Sequence, residues 1–390
     1  MLRLILFIFL LVPVALPLTA SSIQTIHVRF YSEKITLKYA TDLVAQRSVS
    51  VKEEDLLNYY RMLEGTNYQV LLNGLNENKQ LYQLNDWLYY ELMQETLDQI
   101  LINQSPVIKE LTAWFLLSKA GFDSRLTYFK NQVFVYAYTK DSIFEVPMIE
   151  DNNRHFVNLS SIRLKNKSRQ ALYMLNFVPN PKGRSFSFYL RQLPVLRIQP
   201  DLQHYAFHYH NQKYELTVNT DRTIKDIMQA YPIISETEYM EVPMSSTLSN
   251  SLLPQLEIFL QGKTEKEALE LLVAFTRSSF KYKEDKEYFG YSKPMIADEV
   301  FHYPYSDCED RSALFFRLVK RLLDLPMIVI AYPDHLTIGV AMKQPSGTAV
   351  RYKNKLYFIC DPTGPVNSAE IGEIPHGYEN ESFEIIGSYK

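Results

Sequence analysis

The stretch Tyr305-Ser306-Asp307-Cys308-Glu309-Asp310-Arg311-Ser312 runs into Ala313, Leu314, Phe315, Leu318, Val319, Leu322 and Leu323, and its reading decides the fold of the C-terminal part of the chain. The apolar residues recur at three- and four-residue spacing and stop before Pro326, which predicts an amphipathic helix ended by the proline. Cys308 then sits at a helix N-terminus. Unpaired amides and the positive end of the helix dipole favour thiolate over thiol there, as a nucleophilic cysteine requires. Asp307, Glu309 and Asp310 push the other way, so a cationic partner is needed nearby, and His335 is the candidate.

Downstream, Met327 to Ala331 is apolar and β-branched, Pro333-Asp334 is a turn, and His335 opens a second strand, Leu336 to Met342. Leu356 to Cys360 reads as a third strand, closed by Asp361-Pro362-Thr363-Gly364. A helix of about 17 residues travels ~25 Å and a strand of about seven returns ~23 Å, so His335 comes back level with Cys308. Asp361, at the end of a neighbouring strand, is placed to accept the Nδ1 proton of His335 and hold the ring toward the thiol. Each residue alone has a plainer reading: a small buried hydrophobe, a polar turn residue, a turn aspartate. Their joint occurrence at a helix start and at matching strand ends points to a nucleophile, base and orienter, with the Cys308 amide as one oxyanion donor. Cys360 points away from Asp361 along its strand and reads as a buried thiol with no bridge to Cys308.

Ser-Asp-Cys-Glu-Asp-Arg-Ser at 306–312, Asp-His-Leu-Thr-Ile-Gly-Val at 334–340 and Tyr-Phe-Ile-Cys-Asp-Pro-Thr at 357–363 resemble the three motifs of the transglutaminase-like superfamily. Phe280-Lys281-Tyr282 and Ile296-Ala297-Asp298-Glu299-Val300 resemble the segment that precedes the family's cysteine. The resemblance covers residues 250–375, about a third of the chain, and departs from the family at Ser306, where glycine is frequent. It implies a papain-like α+β domain with a Cys308, His335, Asp361 triad. Such families hold transglutaminases, peptidases, deamidases, amidases and inactive copies, so the resemblance fixes the nucleophile better than the substrate.

Upstream, Ile26 to Tyr39 alternates like one or two strands, and Val51–Leu63, Asp86–Leu101 and Val107–Ala120 carry helical spacing. Arg125–Phe129 and Val133–Tyr138 read as a hairpin, followed by a strand at Phe156-Val157. From Leu159 to Pro243 the text is mostly strand-like, broken by Pro179, Pro181, Pro194 and Pro200. The expected organisation is an α+β chain: an N-terminal domain over 21–160, a β-rich middle domain over 161–245 and a catalytic domain over 246–390. Sliding the N-terminal unit by 203 positions lays its helix, hairpin and strand on their C-terminal equivalents, with Ser105, Gln132 and Asn158 at Cys308, His335 and Asp361. A degenerate duplicate and an unrelated helix-plus-hairpin domain are the two readings of that unit. His204, His208 and His210 share parity in one strand, so they form either a zinc-binding face or the wet face of a strand whose aromatic side is buried.

Residues 1–20 read as a secretory signal: Arg3, an uncharged apolar run from Leu4 to Leu18 broken by Pro13 and Pro17, then Leu18-Thr19-Ala20. The expectation is a periplasmic or extracellular protein with no stable membrane span after cleavage. Forty-one Lys and Arg against 44 Asp and Glu argue against nucleic acid as a partner, and two cysteines argue against a disulfide framework. No cofactor motif is present. The function expected is a thiol enzyme that hydrolyses amide bonds in a protein or peptide substrate. A glutamine transglutaminase or deamidase is the alternative within the chemistry, and an inactive scaffold is the alternative outside it. Tyr288, Tyr291 and Tyr305 are the aromatic candidates for lining the cleft.

Overall fold

A computed structural model describes residues 21–164, 173–344, 347–364 and 369–390; the expected signal segment lies outside them. No helix among the described residues is long and apolar enough to cross a membrane. The fold is α+β, built from two halves with the same plan. The first opens with a hairpin of β1 (Ile23–Phe30) and β2 (Glu33–Ala40), continues with helices α1 (Glu53–Glu64), α2 (Gln69–Leu81), α3 (Asp86–Ile100) and α4 (Pro106–Lys119), and ends in strands β3 (Ser124–Phe129), β4 (Gln132–Thr139), β5 (Met148–Asp151) and β6 (Arg154–Asn158), helix α5 (Leu159–Leu164) and strand β7 (Tyr173–Met174). The second opens with the hairpin β8 (Pro200–Tyr209) and β9 (Gln212–Asp221), followed by α6 (Arg222–Gln229), α7 (Glu236–Glu241), α8 (Ser246–Leu260) and α9 (Glu265–Ser279). It proceeds through β10 (Lys281–Tyr282), α10 (Asp285–Tyr288), β11 (Tyr305–Ser306) and α11 (Cys308–Leu322) to β12 (Met327–Ala331), β13 (Leu336–Val340), β14 (Ala349–Tyr352), β15 (Lys355–Cys360) and β16 (Glu384–Tyr389).

Local chemistry sets these elements. Ser105 caps α4 by accepting the Ile108 N–H, with Pro106 in the first turn, and Asn85 caps α3 by accepting from Leu88. Thr264 and Glu267 form a capping box at the start of α9. In β9 every second residue from Tyr214 to Val218 is buried, the period of a half-covered strand. Helix α2 has no counterpart in the periodicity reading, because Asn73, Gly74, Asn76 and Asn78 dilute its helical signal. Gly74 is there for packing: a Cβ would meet Leu37 of β2 at 3.1 Å.

Each half closes in a five-stranded sheet, in the order β5-β6-β4-β3-β7 and β14-β15-β13-β12-β16. These are the same order under the offset of 203 that aligns β3 with β12. The likeness of plan reaches further than 107–158, since both halves also begin with a long hairpin laid on helices. Tyr31 and His210 stand at positive φ, +50° and +52°, in the two hairpin turns.

The segment 161–245, expected as a β-rich middle domain, contains a long hairpin, and its described buried residues join the cores on either side. Phe186, Phe188 and Leu190 pack into the core of the first half, whereas Phe207, Tyr209, Tyr214, Leu216 and Val218 pack into that of the second. Ile224, Ile227 and Met228 of α6 return to the first core, so α6 and α7 form the seam between the halves. A two-stranded hairpin has a single apolar face and must borrow a partner to cover it, and β8–β9 borrows α8 and α9. Phe186 and Phe188 are not in a strand: Phe186 makes one isolated bridge to Thr139, and both side chains are buried in the first core from coil.

Candidate active site

The site lies where α11 meets the N-terminal end of β13, the central strand of its sheet. The parallel pairing of β10 with β11 fixes Ser306, and the chain turns at Asp307 into α11, leaving Cys308 as its first residue. Ser312 Oγ donates to the Leu336 carbonyl at 3.1 Å, which holds the first turns of α11 against the start of β13. His335 precedes that strand in the turn after β12, where its carbonyl accepts the Tyr332 N–H at 2.8 Å. Pairing of β13 with β15 carries Asp361 to the same end of the sheet.

His335 and Asp361 meet: Nε2 lies 3.2 Å from Asp361 Oδ1, and both side chains are almost wholly buried. The partnered nitrogen is Nε2, which corrects the expectation that Nδ1 would face the carboxylate. Asp361 Oδ1 also accepts the Thr363 N–H at 3.3 Å, so the turn fixes the carboxylate that orients the imidazole. Tyr378 covers the other face of His335, its ring nearly parallel at 5.0 Å, tethered by its hydroxyl donating to Asp334 at 2.8 Å.

Cys308 is buried and its thiol donates to Glu309 Oε2 at 2.9 Å, not to the imidazole. Burial pushes the thiol pKa well above its usual value, reinforced by the Glu309 and Asp307 carboxylates, while the Leu336 N–H acts in the opposite direction. Burial, with the acidic neighbours named in the sequence behind it, therefore outweighs the pull of the helix start and favours the thiol over the thiolate. Cys360 is also free and buried, with its pKa raised chiefly by burial.

Arg311, fully buried, ties the site together. Its guanidinium donates to Ser306 Oγ at 3.1 Å, the Phe280 carbonyl at 2.6 Å, the Gly364 carbonyl at 3.1 Å and the Thr363 carbonyl. One side chain thus joins the strand before the cysteine to the turn after the aspartate; burial brings its pKa down to about 10. Sequence reading passed over Arg311, although an arginine three residues into an apolar helix is itself the signal of a buried fork. Of the aromatic candidates, Tyr288 and Tyr305 pack on each other with tilted rings at 5.0 Å and Tyr291 packs against Phe289. The hydroxyls of Tyr282 and Tyr378 have their pKa raised first by burial and then by hydrogen bonds to Glu284 and Asp334, with Cys308 a smaller influence on both.

In the first half Ser105 caps α4, Gln132 is exposed at the start of β4, and Asn158 is buried, donating to Tyr136 Oη at 3.0 Å and accepting the Ser161 N–H. His204 and His208 lie on the wet face of β8, opposite Tyr205, Phe207 and Tyr209, and His210 leaves the strand at the turn. Among the described residues the three histidines do not gather into a metal-ligating group. Comparison with protein-family models, with curated proteins and with solved structures finds no match.

Proposed function

We propose that the chain is a thiol enzyme acting on amide bonds, with Cys308 as nucleophile, His335 as base and Asp361 as orienter. The reading is carried by the buried His335–Asp361 hydrogen bond at 3.2 Å, set at the sheet end against which the Cys308 turn of α11 is fastened. Resemblance of the three motifs to the transglutaminase-like superfamily supports the same assignment. In the step proposed, His335 Nδ1 takes the thiol proton, Cys308 Sγ bonds to the substrate carbonyl carbon, and the oxyanion faces the Cys308 amide at the helix start. The amine leaves with the proton from His335, giving a thioester. Water, deprotonated by His335, then attacks the thioester carbonyl; the acid is released and the thiol is restored. Hydrolysis is favoured over transfer because water is always present and transfer needs a groove that excludes it. A protein or peptide is the proposed substrate, and export by residues 1–20 the proposed route to a periplasmic or extracellular site.

A second reading, an inactive scaffold, is favoured by one observation: Cys308 is 6% exposed, with its thiol turned to Glu309, and Tyr378 covers His335. The experiment that separates them incubates the protein with a mixture of unfolded proteins and follows new amino termini, released ammonia and incorporation of a primary-amine probe. Hydrolysis predicts new amino termini that vanish in Cys308→Ala; ammonia or probe incorporation identifies deamidation or transfer. Product formation undiminished in Cys308→Ala would remove the thiol mechanism.

A further inference from the structure

Three carboxylates from two segments converge behind the Cys308 turn. Asp285, Asp307 and Asp310 each offer an oxygen, and these oxygens all lie within 4.8 Å of one another. The residues are 6%, 2% and 0% exposed, and none of them has an ion-pair partner among the described residues. The neighbouring ammonium of Lys293 is engaged by Glu299 at 2.5 Å.

Backbone amides hold the carboxylates in place. Asp285 Oδ2 accepts from the Lys293 N–H, Asp307 Oδ2 from the Asp285 N–H at 3.3 Å, and Asp310 from Met295 at 2.8 Å and Asp307 at 3.2 Å. Asp307 Oδ1 is buried and has no hydrogen-bond partner. An acceptor buried without a donor is costly, and buried charges are ordinarily paired, protonated or bound to a metal. Three such groups held by their own backbone, with one oxygen left open, form an oxygen-only donor set for a hard cation. Ligand oxygens about 2.4 Å from such an ion stand up to about 4.8 Å apart across it.

From this we infer that Asp285, Asp307 and Asp310 form a divalent-cation site that clamps the segment 285–295 to the first turn of α11. The site is separate from the His335–Asp361 pair, and its occupancy does not depend on the thiol chemistry. The cation replaces the mutual repulsion of the three acids with a shared attraction, fixing the turn that carries Cys308.

The test is thermal unfolding of the chain without residues 1–20, in a chelator and in millimolar CaCl2 or MgCl2, with terbium luminescence as an independent binding signal. The site predicts a melting temperature several degrees higher with calcium or magnesium, and terbium emission that either ion displaces. Asp285→Asn is expected to abolish both responses while melting in chelator at or above the wild type, because it removes a like charge. Asp310→Asn serves as the second variant should the first fail to fold. No ion-dependent shift in the wild type would overturn the site, leaving a shared proton as the answer to the crowded carboxylates. A shift that persists in both variants would overturn it equally, by placing binding at exposed acids elsewhere.

Discussion

At the level of single residues, Glu309 governs the state of Cys308. Its carboxylate accepts the thiol proton at 2.9 Å and, after burial, is the largest influence holding the thiol protonated. Glu309→Gln keeps the shape and removes the charge, so the thiol is released toward His335, and iodoacetamide labelling of Cys308 should rise about tenfold, the equivalent of about one pKa unit. Peptide mapping by mass spectrometry measures the rate, with Cys360 as the buried internal control; an unchanged rate would show that Glu309 does not set the reactivity. The three site positions were legible because each sits at a punctuated place in the sequence: a helix start, a turn before a strand, a turn after one. Which imidazole nitrogen meets Asp361 was not legible, since it depends on a rotamer and not on a spacing. Tyr378 was equally hidden, because it reaches His335 from a loop 43 residues further along the chain, in a segment with no periodic signal.

Among the elements, Arg311 is the part on which the site's assembly rests. Its guanidinium satisfies three carbonyls and the Ser306 hydroxyl in a buried position. Lysine carries the charge but not the planar fork, so Arg311→Lys leaves several of these acceptors without donors and should cost about 3 kcal/mol in stability by urea unfolding. A loss under about 0.5 kcal/mol would mean that the turn after Asp361 is held by other contacts. Gly364 belongs to the same junction: at φ +26°, a Cβ there would meet the Arg277 side chain at 2.8 Å. The helices with clear apolar stripes and the hairpin at 125–138 were legible from period alone. Helix α2 and the coil around Phe186–Leu190 were not, because tertiary packing overrode local preference: a glycine chosen for closeness in one, an alternating pattern buried without a strand in the other.

Across the whole molecule, two halves share a strand order, and Ser105, Gln132 and Asn158 of the first stand at the positions of Cys308, His335 and Asp361 in the second. The offset relating them could be drawn from the sequence over helix α4 and its sheet, yet the matching hairpins escaped it, because β8–β9 reads as part of a β-rich middle until its core partner is known. The first half stores a pH dependence. Glu91, which accepts from Tyr31 at 2.9 Å and so ties the β1–β2 turn region to α3, has its pKa raised from 4.5 to about 7, chiefly by burial. The folded state thus binds the proton more tightly than the unfolded chain. This contribution is complete below pH 4.5, is lost as pH rises to about 7, and is level beyond, an amount of about 3 kcal/mol. Glu91→Gln should flatten that decline, gaining stability relative to the wild type between pH 5 and pH 8; denaturant unfolding at the two pH values measures it, and parallel profiles would contradict it. The second half carries the proposed chemistry, in which Cys308 and His335 act as one unit. The most direct measurement compares iodoacetamide labelling of Cys308 at neutral pH in Glu309→Gln with that in the double variant Glu309→Gln/His335→Ala. Coupling predicts that removing the imidazole slows Cys308 by about tenfold or more while leaving Cys360 unchanged; equal Cys308 rates in the two proteins would contradict it.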